Sequence, residues 1–352
     1  MKHRLILILI LISLLSCKNE LEDIRLKTEE QAPIDFRVLN KTNAPLISAS
    51  NPWENGLIGY CMVLKSDENF WQMWYESFAP TANDDYKSYL CYATSKNGIN
   101  WEKPKLGLVN FEGSSENNII LSGQETNGIH GPFIYKENGI YHLIVNQIIV
   151  DNDSPKYSIA VAYSENGVNW SKFSKIYDGY SDTQNVLLNF NDQKKLFVRK
   201  WIGEISTGER AVGISRINRF SSLFFEQAEL AYRNNFEEDV YTNGAIKYDN
   251  LILCLTSIFN KSKGDIYLGL AYSRNGNTFY KYNNKIDWKQ SQNSWDNKAI
   301  YASPSLVKSD NDSTYFLYYS GTEKNHDSPI TNNNDYVTGI GRYEIVITNN
   351  EK

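Results

Sequence analysis

Acidic side chains stand at three places where β-strands are predicted to begin, and they are the residues best suited to chemistry. They are Glu54, Asp182 and Asp239. Cleavage of a glycosidic bond needs such groups, because one carboxyl group protonates the leaving oxygen while a second acts as nucleophile or as base on water. A third can hold the sugar and raise the pKa of the acid. If the fold brings the three together, the sequence predicts a site for hydrolysis of glycosidic bonds.

A repeated turn sequence indicates which elements position these acids. Three segments carry a serine, an Asn-Gly pair and then an aromatic residue: Ser95–Trp101, Ser164–Trp170 and Ser273–Phe279. Asn-Gly between β-rich runs predicts a type I′ hairpin turn, since both residues accept a positive φ. A hairpin that recurs in this way indicates units of roughly 50–70 residues, which suits the four-stranded blade of a β-propeller.

The chain between these turns reads as short alternating runs separated by Asn, Asp, Gly and Ser, without a long helical period. The first strands of the repeats begin near positions 57, 131, 185, 244 and 303. We therefore predict an all-β fold, a five-bladed β-propeller of four-stranded antiparallel blades that spans residues 45–352. The loops before the innermost strands of a propeller converge on one rim of the central channel, so the three acids are expected to meet there.

Residues close to these strand starts are the candidates for holding a sugar. Blade two offers a histidine in place of an acid, and an arginine in blade three could supply a counter-charge. Their side chains donate or accept hydrogen bonds, or present aromatic rings on which sugars stack. The predicted substrate-binding residues are Trp53, Asn55, His130, Gln184, Arg199, Glu238, Tyr241, Asn243 and Tyr301.

The N-terminus has the features of a targeting segment. Lys2 and Arg4 precede an apolar run, Leu5–Leu15, that is too short to span a bilayer comfortably. The run ends at Ser16-Cys17, which resembles a bacterial lipobox, so we expect residues 1–16 to be a lipoprotein signal peptide and Cys17 to carry lipid. The alternatives are an ordinary cleaved signal or an anchor helix. Residues 17–44 are expected to form the lipidated tether and lead-in segment, which places the protein at a bacterial outer membrane, on its periplasmic or cell-surface face.

Composition narrows the classes of partner. The formal net charge is −5 at pH 7 and no basic stripe occurs, so nucleic acid is not an expected partner. We expect a carbohydrate ligand and a monomer. Three cysteines remain beyond the signal, Cys61, Cys91 and Cys254, and we expect all three to be buried free thiols.

Two groups of motifs carry a resemblance to a known superfamily. Pro52–Leu57 followed by Phe70–Tyr75 resembles the first blade of the five-bladed glycoside hydrolases of families 32, 43, 68 and 117, the invertase, levansucrase and arabinanase group. The chain is more closely similar to an uncharacterised bacterial branch, over roughly residues 45–347. The matching stretches of that branch are Cys91–Ser95 through Trp101–Gly107, Ser181–Asn185, Asp239–Asn243 and Ile300–Ser303.

The resemblance implies a role for each acid. Glu54 would be base or nucleophile, where the superfamily usually has Asp, and Asp182 would orient the sugar and tune a pKa. Asp239 would be the proton donor, although Glu237 and Glu238 compete for that role. No cofactor is required, but some relatives hold a structural calcium ion in the central channel through a histidine of the fifth blade. His326 would be the candidate ligand here.

The preferred interpretation is a membrane-tethered glycoside hydrolase that acts on a poly- or oligosaccharide. A non-catalytic glycan-binding propeller is one alternative. A sialidase-like hydrolase is another, because Ser-x-Asn-Gly-x-x-Trp resembles a shortened Asp box, but the arginines do not recur at channel positions. Other serine, cysteine or nucleotide-dependent chemistries lack a motif, since the chain has no Gly-x-Ser-x-Gly, no Cys-x-x-Cys and no phosphate loop.

Overall fold

The computed structural model of the chain describes residues 24–29, 31–67, 69–80, 86–151, 154–205, 207–217, 224–310, 313–328 and 338–350. These residues are almost entirely β-structure, with a single helical turn at Gly123–Thr126. The expected signal peptide and the lipidation residue Cys17 lie outside the described residues. No helix within the described ranges has the length and apolar character needed to cross a bilayer.

Each of the first four blades is a run of consecutive antiparallel strands. Two strands precede them, β1 (Ile34–Lys41) and β2 (Ile47–Ser48). Blade one contains β3 (Ile58–Asp67), β4 (Phe70–Pro80), β5 (Tyr86–Ser95) and β6 (Trp101–Glu102), and β7 (Ile119–Ser122) also pairs with β5. Blade two contains β8 (His130–Glu137), β9 (Ile140–Asp151), β10 (Ser154–Ser164) and β11 (Ser174–Asp178).

Blades three and four follow the same plan, and blade five has three consecutive strands of its own. Blade three contains β12 (Val186–Phe190), β13 (Gln193–Ile202), β14 (Glu209–Arg216) and β15 (Glu229–Tyr232). Blade four contains β16 (Glu238–Tyr248), β17 (Leu251–Asn260), β18 (Asp265–Ser273) and β19 (Tyr280–Lys281). Blade five contains β20 (Ala299–Lys308), β21 (Thr314–Thr322) and β22 (Thr338–Asn349). A single parallel bridge, Ile266 to Ala299, joins blades four and five into one sheet.

The fifth blade takes its outer strand from the N-terminal side of the chain. Strand β1 pairs antiparallel with β22 from Ile34–Asn349 to Lys41–Tyr343. This pairing closes the propeller, because a strand from the N-terminal side and the last strand, β22, lie side by side in one blade. The sequence analysis placed these residues in the lead-in segment, before a propeller that begins at residue 45. The structure adds β1 to the propeller, since blade five has only three strands of its own.

The predicted five-bladed all-β architecture is confirmed. The innermost strands of blades one, two and three begin within one residue of the prediction, whereas those of blades four and five begin at Glu238 and Ala299, before the predicted positions 244 and 303. The strand that pairs with β14 in blade three is β15 (Glu229–Tyr232). Phe225, which precedes it, is buried and makes an isolated bridge to Ile217. The three expected cysteines are buried free thiols.

The Asn-Gly turns are hairpin loops, but they are not the two-residue type I′ turns that the sequence predicted. In the first, Ser95 pairs with Trp101, so five residues lie in the loop, and only Gly98 has a positive φ, +68°. The Asn97 side chain accepts the N–H groups of the two residues that follow Gly98. A Cβ at Gly98 would lie 2.6 Å from the hydroxyl of Tyr318 in blade five, so glycine is needed for blade-to-blade contact.

Candidate active site at the propeller axis

The innermost strands are irregular where they begin. The pairing register shifts between Gly59 and Met62 in β3, between His130 and Phe133 in β8, and between Val240 and Thr242 in β16. Strand β20 has a similar shift after Ala302. Bulges of this kind bend a strand and redirect its side chains, and they are common at barrel rims and next to active sites.

These bulges surround a cleft of about 210 Å³ at the axis. Its walls are mainly rings. Tyr60 packs edge-on against His130 at 5.0 Å between centroids, and Tyr241 packs edge-on against His326 at 4.4 Å. Aromatic walls with a few polar groups are typical of ligand clefts. The rings that line it are Tyr60, Phe78, His130, Tyr241, Tyr301 and His326.

His130 is held by a buried carboxylate. Glu76, on β4, is completely buried, and its Oε1 lies 3.2 Å from His130 Nδ1. The other oxygen of Glu76 accepts the backbone N–H of Gly131 at 2.9 Å. Burial alone would lower the pKa of His130, but Glu76, assisted by Asp182, outweighs it and raises this pKa above the usual value. Glu76 therefore favours the protonated form of His130. The His130 side chain is 35% exposed, whereas that of Glu76 is buried.

Asp182 stands next to His130, where a neighbouring cleft opens over blade two. The carboxylate pairs with the guanidinium of Arg199, which is buried, and its Oδ2 accepts the Tyr180 hydroxyl at 3.0 Å. Arg199 also donates to the carbonyl of Tyr241 and lies 4.5 Å from the centroid of that ring. The Asp182 side chain remains 35% exposed, so it is both anchored and open to solvent.

Tyr60 links the two halves of the cluster. Burial is the main reason that its pKa lies well above the ordinary value. Tyr241 raises this pKa further, Arg199 opposes the rise, and the negative charges of Asp182 and Glu76 add to it. Both carboxylates therefore act on one hydroxyl. Tyr60 has a φ of +46°, a left-handed conformation that a bulky residue rarely adopts. This strained backbone belongs to the bulge of β3 and faces the cleft.

Glu54 does not reach the cleft. Its side chain is fully buried in the turn before β3, where Oε2 accepts the N–H groups of Ser50 and Asn51 at 2.9 Å each. Oε1 accepts the Tyr75 hydroxyl at 2.6 Å and lies 2.7 Å from Lys103 Nζ. A carboxylate with all of these partners joins the turn to blade one and has no side open to a substrate.

Asp239 is also enclosed. Its side chain is fully buried, with Arg210 at 3.2 Å from one oxygen and Lys261 at 2.9 Å from the other. The Arg210 guanidinium is itself stacked on Trp201 at 4.8 Å. The prediction that Glu54, Asp182 and Asp239 meet in one open site is therefore wrong. Two of the three acids are sealed in ion pairs, because in each pair the carboxylate is the fully buried partner and the cation is the partly exposed one.

The remaining predicted substrate-binding residues divide in two. His130, Tyr241 and Tyr301 line the axial cleft, and Arg199 lies behind it. The others hold parts of the fold together. Trp53 donates to Asn118 of the insertion between blades one and two, Gln184 donates to the carbonyls of Tyr60 and Pro132, Asn243 accepts from Tyr232, Glu238 accepts from Tyr267, and Asn55 occupies a turn position with a φ of +37°.

His326 does reach the channel, as the sequence predicted. Its Nδ1 lies 2.8 Å from the Tyr301 hydroxyl. Burial lowers its pKa to about 4, and the positive charges of Arg210 and Arg199 contribute to that shift. Calcium prefers six to eight oxygen ligands. Among the described residues no cluster of three or more His, Cys, Asp or Glu side chains could hold a metal ion. Calcium held by one histidine and water molecules stays a prediction.

Sequence reasoning missed Tyr60, Glu76 and Phe78. Glu76 leaves a recognisable signal, because it is a charged residue within the strand Phe70–Pro80, whose described neighbours from Trp71 to Ser77 are all buried. Such a charge must find a partner. The role of Tyr60 leaves no comparable signal, since it depends on a bulge that the alternating pattern of β3 does not reveal.

Comparison with solved structures identifies proteins of the same fold. A β-1,2-mannobiose phosphorylase from Listeria innocua, in complex with β-1,2-mannobiose, has a TM-score of 0.59 at 12% identity over 88% of this chain and 96% of that chain. The GH43_1 enzyme from Xanthomonas citri, complexed with xylose, has a TM-score of 0.56 at 12% identity over 86% and 89%. The catalytic domain of the GH62 α-L-arabinofuranosidase from Coprinopsis cinerea has a TM-score of 0.53 at 14% identity over 88% and 97%.

These likenesses show that the chain shares the fold of these enzymes. No family model and no curated protein matches the chain. At 11–14% identity to the solved structures, similarity of fold carries no activity with it. Function has to be argued from the axial cleft.

Proposed function

We propose that the protein is a glycoside hydrolase that binds a sugar in the axial cleft. The proposal depends on one observation: a carboxylate-bound histidine, His130, stands among aromatic rings in the axial cleft and also lines the adjoining cleft, where the exposed carboxylate of Asp182 lies. Rings offer faces for sugar stacking, and the two polar groups both line the adjoining cleft, which His130 shares with the axial one. The fold-level likeness to enzymes that act on glycans agrees with this choice.

The two polar groups suit different steps. The His130 imidazolium, whose pKa is raised by Glu76, can protonate the leaving glycosidic oxygen. The Asp182 carboxylate, held in place by Arg199 and Tyr180, can act as base on water or as nucleophile. Since hydrolysis needs both an acid and a base or nucleophile, this pair replaces the carboxylate trio as the proposed machinery.

The test is a polysaccharide screen with a matched pair of variants. We expect the protein to release reducing ends from at least one polymer in a panel of plant, host and microbial glycans. Asp182→Asn should lower kcat/KM by at least about 100-fold, because the charge that activates water or attacks carbon is lost. Asp178→Asn is the control, since Asp178 is an exposed acid at the end of β11, four residues earlier in the chain, whose carboxylate pairs with Lys175. Equal activity of the two variants would contradict the assignment.

We also propose that the protein is held to the membrane through lipid on Cys17. The support is the lipobox-like sequence that ends the apolar run Leu5–Leu15. Cells fed an alkyne-tagged fatty acid should label the wild-type protein and not Cys17→Ala. Labelling of both proteins, or of neither, would contradict lipidation at Cys17.

A second candidate function is binding of a glycan without hydrolysis. The ion-paired state of Glu54 and Asp239 favours it, because two of the carboxyl groups expected to work on the bond are sealed. This alternative predicts glycan affinity by calorimetry with no release of reducing ends during long incubation. Turnover that depends on Asp182 would exclude it.

A further inference from the structure

A second cleft adjoins the axial one over blade two. It has a volume of about 270 Å³, and His130 lines both clefts. Asn146, Tyr157 and Ser158 form its wall on strands β9 and β10, and Tyr180 and Asp182 form the side toward blade three. The histidine proposed to donate the proton therefore stands at the junction of two cavities, each large enough for a sugar ring.

One polar group in this second cleft lacks a partner. Ser158 is 4% exposed, and its hydroxyl oxygen is buried without a hydrogen-bond partner in the protein. A buried hydroxyl left unsatisfied costs roughly 1–3 kcal/mol, so native structures rarely keep one without a reason. By contrast, the neighbouring Asn146 amide is fully used, since it donates to the carbonyls of His130 and Thr183 and accepts from Asn185. The orphan hydroxyl on the cleft wall fits a ligand hydroxyl.

An aromatic platform stands beside that hydroxyl. Tyr157 is 36% exposed, and its ring meets Tyr180 edge-on at 4.6 Å between centroids. The hydroxyl of Tyr180 in turn donates to Asp182 at 3.0 Å. The platform is therefore connected directly to the carboxylate at the junction of the two clefts. An exposed ring next to an unused hydroxyl is an arrangement suited to a sugar, which presents both an apolar face and hydroxyl groups.

We propose that the blade-two cleft is a second sugar subsite, which binds the unit adjacent to the one in the axial cleft. The inference rests on the proposed function, because it takes the reacting bond to lie beside His130 and Asp182. It deepens that function by fixing the substrate class: a glycan of at least two linked units, recognised on both sides of the bond. Tyr157 stacks on the second unit, and Ser158 hydrogen-bonds one of its hydroxyl groups.

The experiment measures binding of the full chain to an array of defined mono-, di- and trisaccharides of neutral and acidic sugars. The wild-type protein should bind its best disaccharide at least tenfold more tightly than either constituent monosaccharide. Tyr157→Ala should weaken disaccharide binding by about tenfold, and Ser158→Ala by about three- to tenfold, as expected for one lost ring contact and one lost hydrogen bond. Neither should change binding of the monosaccharide that occupies the axial cleft.

Tyr163→Ala is the matched control, because Tyr163 lies on the same strand, is 37% exposed and does not line the cleft. It should leave all affinities unchanged. Ser158→Ala should not lower the unfolding temperature of the free protein, since it removes an unsatisfied buried group, and a purely structural serine would behave differently. No disaccharide preference, equal losses for mono- and disaccharide, or no binding by the wild type would each overturn the subsite. Disaccharide binding without hydrolysis would overturn the proposed hydrolase and leave the subsite standing.

Discussion

Glu54 and Asp182 occupy similar positions in the chain, and the structure treats them differently. Both precede an innermost strand, and both pair with a cation. Around Glu54 the turn folds back on itself, two backbone N–H groups and a tyrosine point inward, and the carboxylate is fully buried. Around Asp182 the buried partner is the arginine, and the carboxylate keeps 35% of its surface exposed. An acid before an innermost strand is therefore not enough to make a site.

The two ion pairs differ in which partner is exposed to solvent. In the Glu54 cluster the cation, Lys103, is the exposed partner at 19%, so solvent meets the lysine and the acid serves the fold. In the Asp182 cluster the cation is 1% exposed, so solvent meets the acid. A substrate can only reach the second kind. Removing each partner should accordingly affect stability in one region and activity in the other.

The largest expected effect is on activity at the cleft. His130→Gln should lower kcat/KM by at least about 100-fold, because glutamine cannot donate a proton to the leaving group. His142→Gln is the control, since His142 lies on β9 and packs on Tyr135 away from the cleft. Steady-state kinetics on the best polysaccharide measure both. A loss of less than tenfold for His130→Gln would remove the histidine from the proposed machinery.

The second effect is on stability at Glu54. Glu54→Gln should lower the free energy of unfolding by about 3 kcal/mol, because the amide nitrogen replaces the oxygen that accepts the Tyr75 hydroxyl and the buried negative charge that pairs with Lys103 is lost. Urea denaturation measures it. Glu116→Gln, in an exposed pair with Lys105, should change stability by less than about 0.5 kcal/mol.

The same Glu54 variant sharpens the comparison through its kinetics. Its kcat per folded molecule should stay within threefold of wild type. A normal unfolding curve together with a 100-fold loss of kcat would show that Glu54 takes part in catalysis, and it would contradict a purely structural role for this residue.

A smaller loss of stability is expected at Asp239. Asp239→Asn should cost about 2 kcal/mol, because Arg210 and Lys261 lose their shared carboxylate but are 18% and 34% exposed and can be hydrated instead. Urea denaturation of this variant beside Glu54→Gln gives the ranking. A cost equal to or above that of Glu54→Gln would show that exposure of the cations does not moderate the effect.

The smallest effects are those of pH, and they have opposite signs at two histidines. The pKa of His130 is raised, so its stabilising contribution is complete below pH 6.5 and is lost as the pH rises through the raised pKa. The pKa of His326 is lowered to about 4, so its contribution is present above pH 6.5 and is lost as the pH falls toward 4. Titration of the imidazole carbon-bound protons by NMR should show this order. Glu76→Gln should lower the pKa of His130 and leave that of His326 in place, and an unchanged His130 would contradict the pairing.

Much of the fold could be predicted from the sequence, because strand alternation and turn residues are local signals. The innermost strands were predicted to begin near residues 57, 131, 185, 244 and 303. They begin at residues 58, 130, 186, 238 and 299. The closure by β1 could not be predicted, since pairing between Ile34 and Asn349 is a contact across nearly the whole chain. The Asn-Gly loops were found for the right residues and with the wrong turn geometry, because Asn97 uses its side chain and not a positive φ.

The site was less accessible to sequence reasoning than the fold. His130, Tyr241 and Tyr301 were found because they stand near strand starts, and His326 was found because the resemblance implies a channel histidine in the fifth blade. Which way a side chain points there depends on bulges, and a one-residue shift moves a side chain to the other face of a sheet. This is why Tyr60 was missed and Glu54 was favoured. Glu54 pairs with Lys103 and Asp182 pairs with Arg199. These partners could not be predicted, because they depend on packing between segments that are separated in the sequence.

The most direct test of the central claim is a crystal structure of Asp182→Asn with the oligosaccharide selected by the polysaccharide screen. The account predicts a sugar ring in the axial cleft, within hydrogen-bond distance of His130 and of the side chain at position 182, while Glu54 remains buried against Lys103. A sugar bound beside Glu54, or on a face of the propeller away from His130, would contradict it.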